Sequence, residues 1–410
     1  MVRNFSIYTA LLLFMGSVAS CTSQRFTTQN KTVQVDSSLI KVELQKPQLR
    51  YFNDSTLLFS NAFPMARLNE IKQVNDSTFQ ITIRPENAPI NPSPWYAFKV
   101  WSKTPEKVYL SLQYGSFKHR YQPKTSLDGI HWSPVPGVKR SKDRKMASFT
   151  LPVNQDTLQV SAQERIDAAM SYAWIDEVAQ LPFITKQTIG HSILGRPIVA
   201  LSTPEVDSRK AVVFLSRQHP PEVTGFLAHQ TFMGEVLGDS DLARRFRQEF
   251  QVLAVPMVNP DGVDAGHWRH SMAGVDLNRD WEDFKQPETR AIRDYLDHLV
   301  KQEKLQLYFG LDFHSTFHDV YYINENVDFS FVPGFSEEWI GKIESSIPGY
   351  TASVKPSSNG SNVSKSWLSR HFGTEAITYE VGDTTDRDQV ALIARTAAQQ
   401  MMQLLLEKSK

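Results

Sequence analysis

Two histidine motifs in this chain have the residue types needed to hold one metal ion. His219 and Glu222 are separated by two prolines, and His314 follows a long apolar stretch. Zn²⁺ accepts both imidazole nitrogen and carboxylate oxygen, and two histidines with one carboxylate leave a coordination position open, as catalytic zinc sites do. Either motif alone also fits an ordinary surface turn, and His318 is a rival ligand. We predict one zinc ion bound by His219, Glu222 and His314.

A further acidic residue could act on a water molecule at such a site. Glu380 interrupts an apolar run over residues 376–381 that has the composition of a buried strand. A buried carboxylate costs free energy unless it has a polar partner or a function. Beside a metal ion, desolvation turns a glutamate into a proton acceptor near neutral pH. From these residues alone, both a general base and a satisfied structural acid remain open.

Two arginines and an amide follow one predicted strand end within a short stretch. Arg269, Asn278 and Arg279 lie in a region rich in Gly, Asn and Asp. A guanidinium group presents a planar set of donors that suits a carboxylate or a developing oxyanion. The alternative is that both arginines are solvated surface charges.

The elements that must position these residues have the pattern of an α/β domain over residues 159–410. Apolar stretches predict strands over 211–216, 250–257, 305–313 and 376–381. Helical spacing predicts helices over 162–180, 224–238, 288–300 and 389–407. Strands that alternate with helices favour a mixed sheet flanked by helices, and such sheets bind ligands at the carboxyl ends of their strands.

The region before this domain is predicted to form an all-β sandwich over residues 41–158. Short alternating runs occur at 77–83, 95–101, 108–114 and 148–153, and Pro, Gly, Asn and Asp separate them. Alternation with turn signals at such intervals is typical of a small sandwich.

The first 40 residues have a different character. A basic Arg3 precedes an apolar run that is too short to span a bilayer, which predicts a signal peptide over residues 1–20. Small residues then precede Cys21, as in a bacterial lipobox, so we predict a lipid anchor on this cysteine and a polar tether over 21–40. The alternative is an ordinary secreted protein that loses its lone cysteine with the signal.

Composition limits the possible partners and the means of stabilisation. The 410 residues are 41% hydrophobic and include 44 Lys plus Arg against 44 Asp plus Glu, so no basic excess supports nucleic-acid binding. With one cysteine, the mature chain has no internal disulfide, and folding must rest on core burial.

Taken together, these segments resemble the zinc metallocarboxypeptidases of the carboxypeptidase A type, over about residues 160–410. The matching blocks, in chain order, are His219 with Glu222, Asn259-Pro260-Asp261-Gly262, Trp268-Arg269, Asp276-Leu277-Asn278-Arg279, Asp312-Phe313-His314-Ser315 and Tyr379-Glu380. Residues 190–198 resemble the hairpin that opens the family's domain. The β-rich region looks like the additional N-terminal domain of the cytosolic carboxypeptidase branch.

The resemblance implies a role for each matching residue. His219, Glu222 and His314 would bind zinc, Glu380 would act as general base and then general acid, and Arg269 would stabilise the tetrahedral oxyanion. Asn278 and Arg279 would bind the terminal carboxylate of the substrate, which implies an exopeptidase.

The sequence departs from the family's pattern at one loop. The family carries a tyrosine upstream of the base, whereas residues 356–366 contain none, and Tyr350 is a weak substitute. Lys365 falls near the residue that forms the floor of the family's specificity pocket. It could favour an acidic C-terminal residue, or it could point to solvent.

Two further functions fit the same residues. The first is hydrolysis of peptidoglycan stem peptides by a lipoprotein that faces the periplasm, anchored in the outer membrane. The second is a lipoprotein that binds peptides or glycans without catalysis, against which the intact ligands and base argue.

Overall fold

The computed structural model describes residues 37–325, 327 and 329–409. The predicted signal peptide, Cys21 and all of the predicted tether up to residue 36 lie outside these residues. Within the described ranges, no helix combines the length and the apolar character needed to cross a bilayer.

The N-terminal region forms two facing β-sheets, which confirms the predicted all-β fold. Its strands are, in chain order, β1 (Leu49–Phe52), β2 (Leu57–Ser60), β3 (Glu70–Asn75), β4 (Thr78–Thr82), β5 (Ala97–Ser102), β6 (Glu106–Gln113), β7 (Lys124–Ser126), β8 (Ser133–Pro134), β9 (Lys139–Arg140), β10 (Met146–Val153) and β11 (Leu158–Ser161). One sheet has the order β1-β2-β5-β11-β7-β8 and the other β3-β4-β6-β10-β9. We call this region the β-domain.

Alternation within these strands builds the core of the β-domain. Val108, Leu110 and Leu112 of β6 are buried while their neighbours are not, because successive side chains of a strand point to opposite faces. The same core includes Val263 and Trp268 from the following region, both with no exposed surface. The two regions therefore pack against each other through apolar side chains.

The C-terminal region contains one eight-stranded mixed sheet flanked by helices, as predicted. Its strands are β12 (Thr185–His191), β13 (Pro197–Ser202), β14 (Lys210–Ser216), β15 (Phe250–Val255), β16 (Gln306–Thr316), β17 (Val320–Glu325), β18 (Val354–Ser358) and β19 (Glu375–Gly382). They are arranged in the order β12-β13-β15-β14-β16-β19-β17-β18. The central strands β15, β14, β16 and β19 are mutually parallel, so their carboxyl ends meet at one edge.

Helices cover both faces of this sheet. They are α1 (Ala168–Val178), α2 (Val223–Val236), α3 (Asp241–Glu249), α4 (Pro260–Asp264), α5 (Pro287–Gln302), α6 (Phe335–Ser346), α7 (Ser364–Phe372) and α8 (Arg387–Lys408). On β14, Val212 and Phe214 join the core formed with α2, α3, α6 and α8, whereas Val213 and Leu215 join the core formed with α5 and α7. Burial on both faces explains the continuous apolar sequence of this strand.

Several predicted boundaries differ from the observed ones. The helix predicted from residue 162 begins at Ala168, because Asp167 caps its N-terminus and the N–H of Ala162 donates to the carbonyl of Tyr96 beside the strand β5. The strand predicted to end at residue 313 continues to Thr316, since residues 314–316 pair with β19. In the C-terminal region, the strands β17 and β18 and the helices α3, α4, α6 and α7 have no counterpart among the predicted elements.

Close packing of α2 against β16 generates a prediction about stability. A Cβ at Gly225 would lie 2.4 Å from the carbonyl oxygen of His314. We expect Gly225→Ala to lower the free energy of unfolding by about 1–3 kcal/mol, because the helix must move away from the strand. Urea denaturation measures this change.

Gly234 on the same helix provides the matched control. A Cβ there would meet no atom within 4 Å, so Gly234→Ala should be neutral or should stabilise the protein by up to about 1 kcal/mol through helix propensity. Equal unfolding free energies for the two variants would contradict the close approach at Gly225.

Candidate active site

The three predicted metal ligands meet at the carboxyl edge of the sheet. His219 and Glu222 lie in the loop between β14 and α2. His314 is one of the last three residues of β16, where this strand pairs with β19. Nδ1 of His219 is 2.8 Å from one carboxylate oxygen of Glu222, Nδ1 of His314 is 2.7 Å from the other, and the two Nδ1 atoms are 3.1 Å apart. His318, the rival ligand, is exposed in the turn after β16 and is not part of this cluster.

Each histidine of the cluster is oriented by a carboxylate at its other ring nitrogen. The Nε2–H of His219 donates to Asp276 at 2.8 Å, and the Nε2–H of His314 donates to Asp312 at 2.8 Å. When Nε2 donates to these carboxylates, the lone pair of each Nδ1 is available to bind a metal ion. Carboxylates in this position also raise the basicity of histidine ligands.

The donor set fits a zinc ion. The three ligand atoms lie within 4.8 Å of one another and are buried, and they combine two imidazole nitrogens with one carboxylate oxygen. That combination, with room left in an adjoining cavity, matches catalytic zinc sites rather than four-ligand structural ones. Residues His219, Glu222 and His314 would therefore hold the ion.

Glu380 lies next to this cluster on the neighbouring strand. It is paired with His314 in the register of β16 and β19, and one of its carboxylate oxygens is buried with no hydrogen-bond partner among the described residues. Burial, together with the negative charge of Glu222, raises the pKa of Glu380 to about 7. The carboxylate thus has the free lone pairs and the proton affinity that a general base needs.

One cavity of about 380 Å³ connects the cluster with the predicted substrate-binding residues; we call it the active-site cavity. Its polar lining includes Arg120, His219, Glu222, Arg269, Asn278, Arg279, Tyr322, Lys365 and Glu380. The structure therefore brings all seven predicted site residues together, with His314 buried directly behind the lining.

The predicted substrate-binding residues differ in the hydrogen bonds that they already form within the protein. Arg269 donates from Nε to Asp276 at 2.6 Å, and the exposed Arg279 donates to the carbonyl of Asn278 at 2.6 Å. The amide oxygen of Asn278 accepts from the backbone N–H of Ser364 at 2.9 Å, and its nitrogen is 3.2 Å from Nε2 of His314. Binding of a substrate carboxylate by Asn278 stays a prediction.

Lys365 lines the active-site cavity and is buried rather than exposed to solvent. It belongs to the first turn of α7, is 2% exposed, and its ammonium group donates to the side-chain oxygen of Asn324. Burial lowers the pKa of Lys365 to about 8. The solvent-exposed alternative is therefore wrong.

Sequence reasoning missed residues whose partners are distant in the chain. Arg120 of the β-domain forms two hydrogen bonds with Asp383 and donates to the carbonyl of Ser315, so it joins the ends of β19 and β16. Tyr322 of β17 lines the cavity, whereas the hydroxyl of Tyr350 donates to that of Tyr321. Tyr350 is thus occupied elsewhere, and no local sequence signal marks Arg120 or Tyr322.

Comparison with known proteins places the chain in a family. A family model described as zinc carboxypeptidase, of the peptidase M14 group, matches residues 171–404, which is more than half of the chain. The chain belongs to the zinc carboxypeptidase family. The matched range contains the metal-ligand cluster, Glu380, Arg269 and Arg279.

Curated relatives of this chain include cytosolic carboxypeptidases. Cytosolic carboxypeptidase 3 of Mus musculus is 26% identical over 297 residues, which cover 64% of this chain and 30% of the relative. Cytosolic carboxypeptidase 6 of Caenorhabditis elegans is 21% identical over 285 residues, which cover 63% and 62% of the two chains. The chain thus matches less than a third of the first relative's length.

Solved structures share the fold of this chain. A metallo-carboxypeptidase from Burkholderia cenocepacia has a TM-score of 0.72 at 19% identity, covering 86% of this chain and 100% of that one. A metallo-carboxypeptidase from Pseudomonas aeruginosa, in complex with (2-guanidinoethylmercapto)succinic acid, has a TM-score of 0.70 at 18% identity, with coverage of 86% and 100%. Because the coverage exceeds the catalytic region, the likeness extends into the β-domain.

The carboxylate behind His314 generates a prediction about metal affinity. Asp312 accepts from His314 and also from Gln218 at 2.6 Å, so an amide at this position would disturb the orientation of the ligand. We expect Asp312→Asn to weaken zinc binding by about 10–100-fold, as losses of such partners do. Competition with a chelator of known affinity measures the change.

Asp294→Asn is the control, because that exposed carboxylate pairs only with the surface residue Arg293 among the contacts described. Its zinc affinity should equal that of the wild type. An unchanged affinity in Asp312→Asn would show that His314 is held without this carboxylate.

Proposed function

We propose that the protein is a zinc-dependent metallocarboxypeptidase that releases the C-terminal residue of peptides. One observation carries the proposal: a single cavity joins a His-Glu-His cluster, a carboxylate with a raised pKa, and cationic side chains that suit a chain terminus. Membership of the zinc carboxypeptidase family supports the same proposal.

Glu380 performs the proton transfers of the proposed reaction. A zinc ion held by His219, Glu222 and His314 would supply Lewis-acid chemistry for water and for the carbonyl of the last peptide bond. Glu380 accepts the proton of the attacking water and then donates it to the nitrogen of the departing amino acid. A pKa of about 7 suits both directions of transfer near neutral pH.

Arg269 and Arg279 each bind a different anionic group of the substrate. Arg269 is held at Nε by Asp276 and faces the cavity beside the cluster, where a donor stabilises the negative charge that develops on the carbonyl oxygen. Arg279 is exposed, lines the cavity and provides a counter-charge for the terminal carboxylate. Recognition of a free carboxylate restricts cleavage to chain ends.

We further propose that the departing residue is acidic. Lys365 is buried in the lining of the cavity with Asn324 as its hydrogen-bond partner, and a buried cation favours an anionic ligand. Asn324, Ser357 and Ser361 add polar groups nearby. A C-terminal glutamate or aspartate supplies the missing negative charge.

Lipid attachment at Cys21 and a periplasmic location, in the outer membrane, stay proposals that rest on the sequence before residue 40. Metabolic labelling with a fatty acid tests the attachment, since Cys21→Ala should remove the label.

In the periplasm, peptidoglycan stem peptides are a candidate substrate because they carry acidic residues. Cleavage of muropeptides without cleavage of ordinary L-peptides would favour this second function.

The role of Glu380 generates a kinetic prediction. Glu380→Gln keeps the size of the side chain but removes the proton acceptor, so kcat should fall by about 10²–10⁴-fold. Zinc content should stay the same, because Glu380 is not among the ligand residues. Glu337→Gln, at an exposed position of α6, should retain wild-type kcat. Wild-type turnover in Glu380→Gln would refute the assignment.

The burial of Lys365 generates a prediction about specificity and pH. A lowered lysine pKa means that the cation is present below about pH 8 and is lost as the pH rises through that value. For a peptide ending in Glu, kcat/KM should therefore decline above about pH 8 relative to a peptide ending in Phe. Matched peptides ending in Glu, Lys and Phe measure the preference.

Substitution separates Lys365 from other causes of that pH dependence. Lys365→Met should reduce kcat/KM for the Glu peptide by at least about 30-fold, because it removes one partner of a buried charge pair. Lys355→Met, on the exposed face of β18, should leave it unchanged. A wild-type preference for Lys or Phe would contradict the proposed specificity.

A further inference from the structure

The segment that carries Arg269 is held by the β-domain through one side chain. Glu86, in the loop between β4 and β5, accepts hydrogen bonds from three consecutive backbone N–H groups. Trp268 donates to one carboxylate oxygen at 2.8 Å, while Arg269 and His270 donate to the other at 3.0 and 2.7 Å. Consecutive N–H groups that converge in this way form an anion-binding concavity, which here is filled by a residue 182 positions away in the chain.

The burial of Glu86 shows how much this arrangement depends on those three bonds. The residue is 1% exposed, and Arg67 lies 3.9 Å from it but donates its Nε–H to the carbonyl of Gly266 at 2.7 Å. A buried carboxylate is costly unless several donors satisfy it. The hydrogen bonds to residues 268–270 give both carboxylate oxygens a donor, so the carboxylate and the segment stabilise each other.

Other groups of the β-domain hold the same segment on both sides. Asn87 contacts Nδ1 of His270 at 2.7 Å and donates to the carbonyl of Gly274 at 3.0 Å. The indole N–H of Trp268 donates to the carbonyl of Trp95 at 3.0 Å. Residues 268–274 are therefore anchored to the β-domain at several points. Glu86 binds the backbone N–H of Arg269, whose side chain lines the cavity.

We propose that Glu86 is a positioning residue for Arg269, so that the β-domain supplies part of the catalytic geometry. Glu86 fixes the backbone from which the Arg269 side chain extends, and Asp276 fixes its Nε at 2.6 Å. Two separate anchors thus set the direction of the guanidinium group toward the cavity. This inference rests on the proposed function, in which Arg269 stabilises the oxyanion.

The isosteric variant Glu86→Gln tests the idea sharply. A carboxylate accepts at both oxygens, whereas an amide places an NH₂ group against either the N–H of Trp268 or the N–H groups of Arg269 and His270. Side-chain volume stays the same, but at least one of the three bonds is lost and a donor faces a donor.

The kinetic test is a double-mutant cycle with Arg269→Ala on a peptide substrate. Glu86→Gln alone should lower kcat by about tenfold or more with little change in KM, since small displacements of a catalytic group have effects of this size. In the Arg269→Ala background, the same change should alter kcat by less than about twofold, because residues that act through one another are not additive. Glu70→Gln, an exposed carboxylate of the β-domain, should have no effect in either background.

A second readout does not require activity. Hydrogen exchange of the amides of residues 268–270, measured in zinc-free protein, should be at least about tenfold faster in Glu86→Gln than in the wild type. Zinc content should be unchanged. If Glu86→Gln does not fold, Asn87→Ala takes its place in the cycle, because Asn87 contacts the same segment with fewer bonds.

The outcomes separate this inference from the proposed function. A wild-type protein that cleaves no peptide refutes the proposed function, while the exchange measurement still tests the anchoring of residues 268–270. Wild-type kcat in Glu86→Gln, or an equal loss in both backgrounds of Arg269, overturns the positioning role. Unchanged exchange at residues 268–270 overturns it as well.

Discussion

The geometry of the site depends on where the ring protons of two buried histidines lie. Asp276 and Asp312 accept those protons at Nε2, so both Nδ1 atoms face the carboxylate of Glu222. Without these acceptors, either ring could turn or change tautomer, and the ligand atoms would no longer converge. Asp276 has a second partner, since its other oxygen accepts from Arg269. One carboxylate therefore couples the orientation of a metal ligand to that of the proposed oxyanion donor.

This constraint explains the roles of the two regions of the fold. The parallel strands β14, β16 and β19 bring His219, His314 and Glu380 to one edge, because parallel strands end on the same side of a sheet. The β-domain lines the other side of the cavity and contacts the ends of two strands of the sheet. Arg120 joins the ends of β16 and β19 through Ser315 and Asp383.

The chain order of the motifs was sufficient to predict much of this arrangement. Strands with continuous apolar sequence, followed at once by His314 or interrupted by Glu380, indicate an α/β sheet and the edge where ligands gather. The alternating runs before residue 158 predicted the all-β fold in the same way. The boundary between the two predicted domains, and the individual roles of the site residues, stay predictions.

The remaining features could not be predicted because they arise from contacts between distant residues. Glu86 and Arg120 meet their partners across 182 and 263 positions of the chain, and neither has a local pattern that distinguishes it from a surface charge. The strand β16 extends past His314 because β19 pairs with it, which periodicity in one segment does not show. The resemblance places Lys365 near the floor of the specificity pocket, and only the packing of α7 shows that it is buried.

Mass spectrometry of a mixed set of peptides, incubated with zinc-loaded protein with and without a chelator, tests the central claim most directly. The account predicts products shortened by single residues from the C-terminus, with acidic residues released first, and no shortening in the presence of the chelator. Internal cleavage, or shortening that the chelator does not affect, would contradict it.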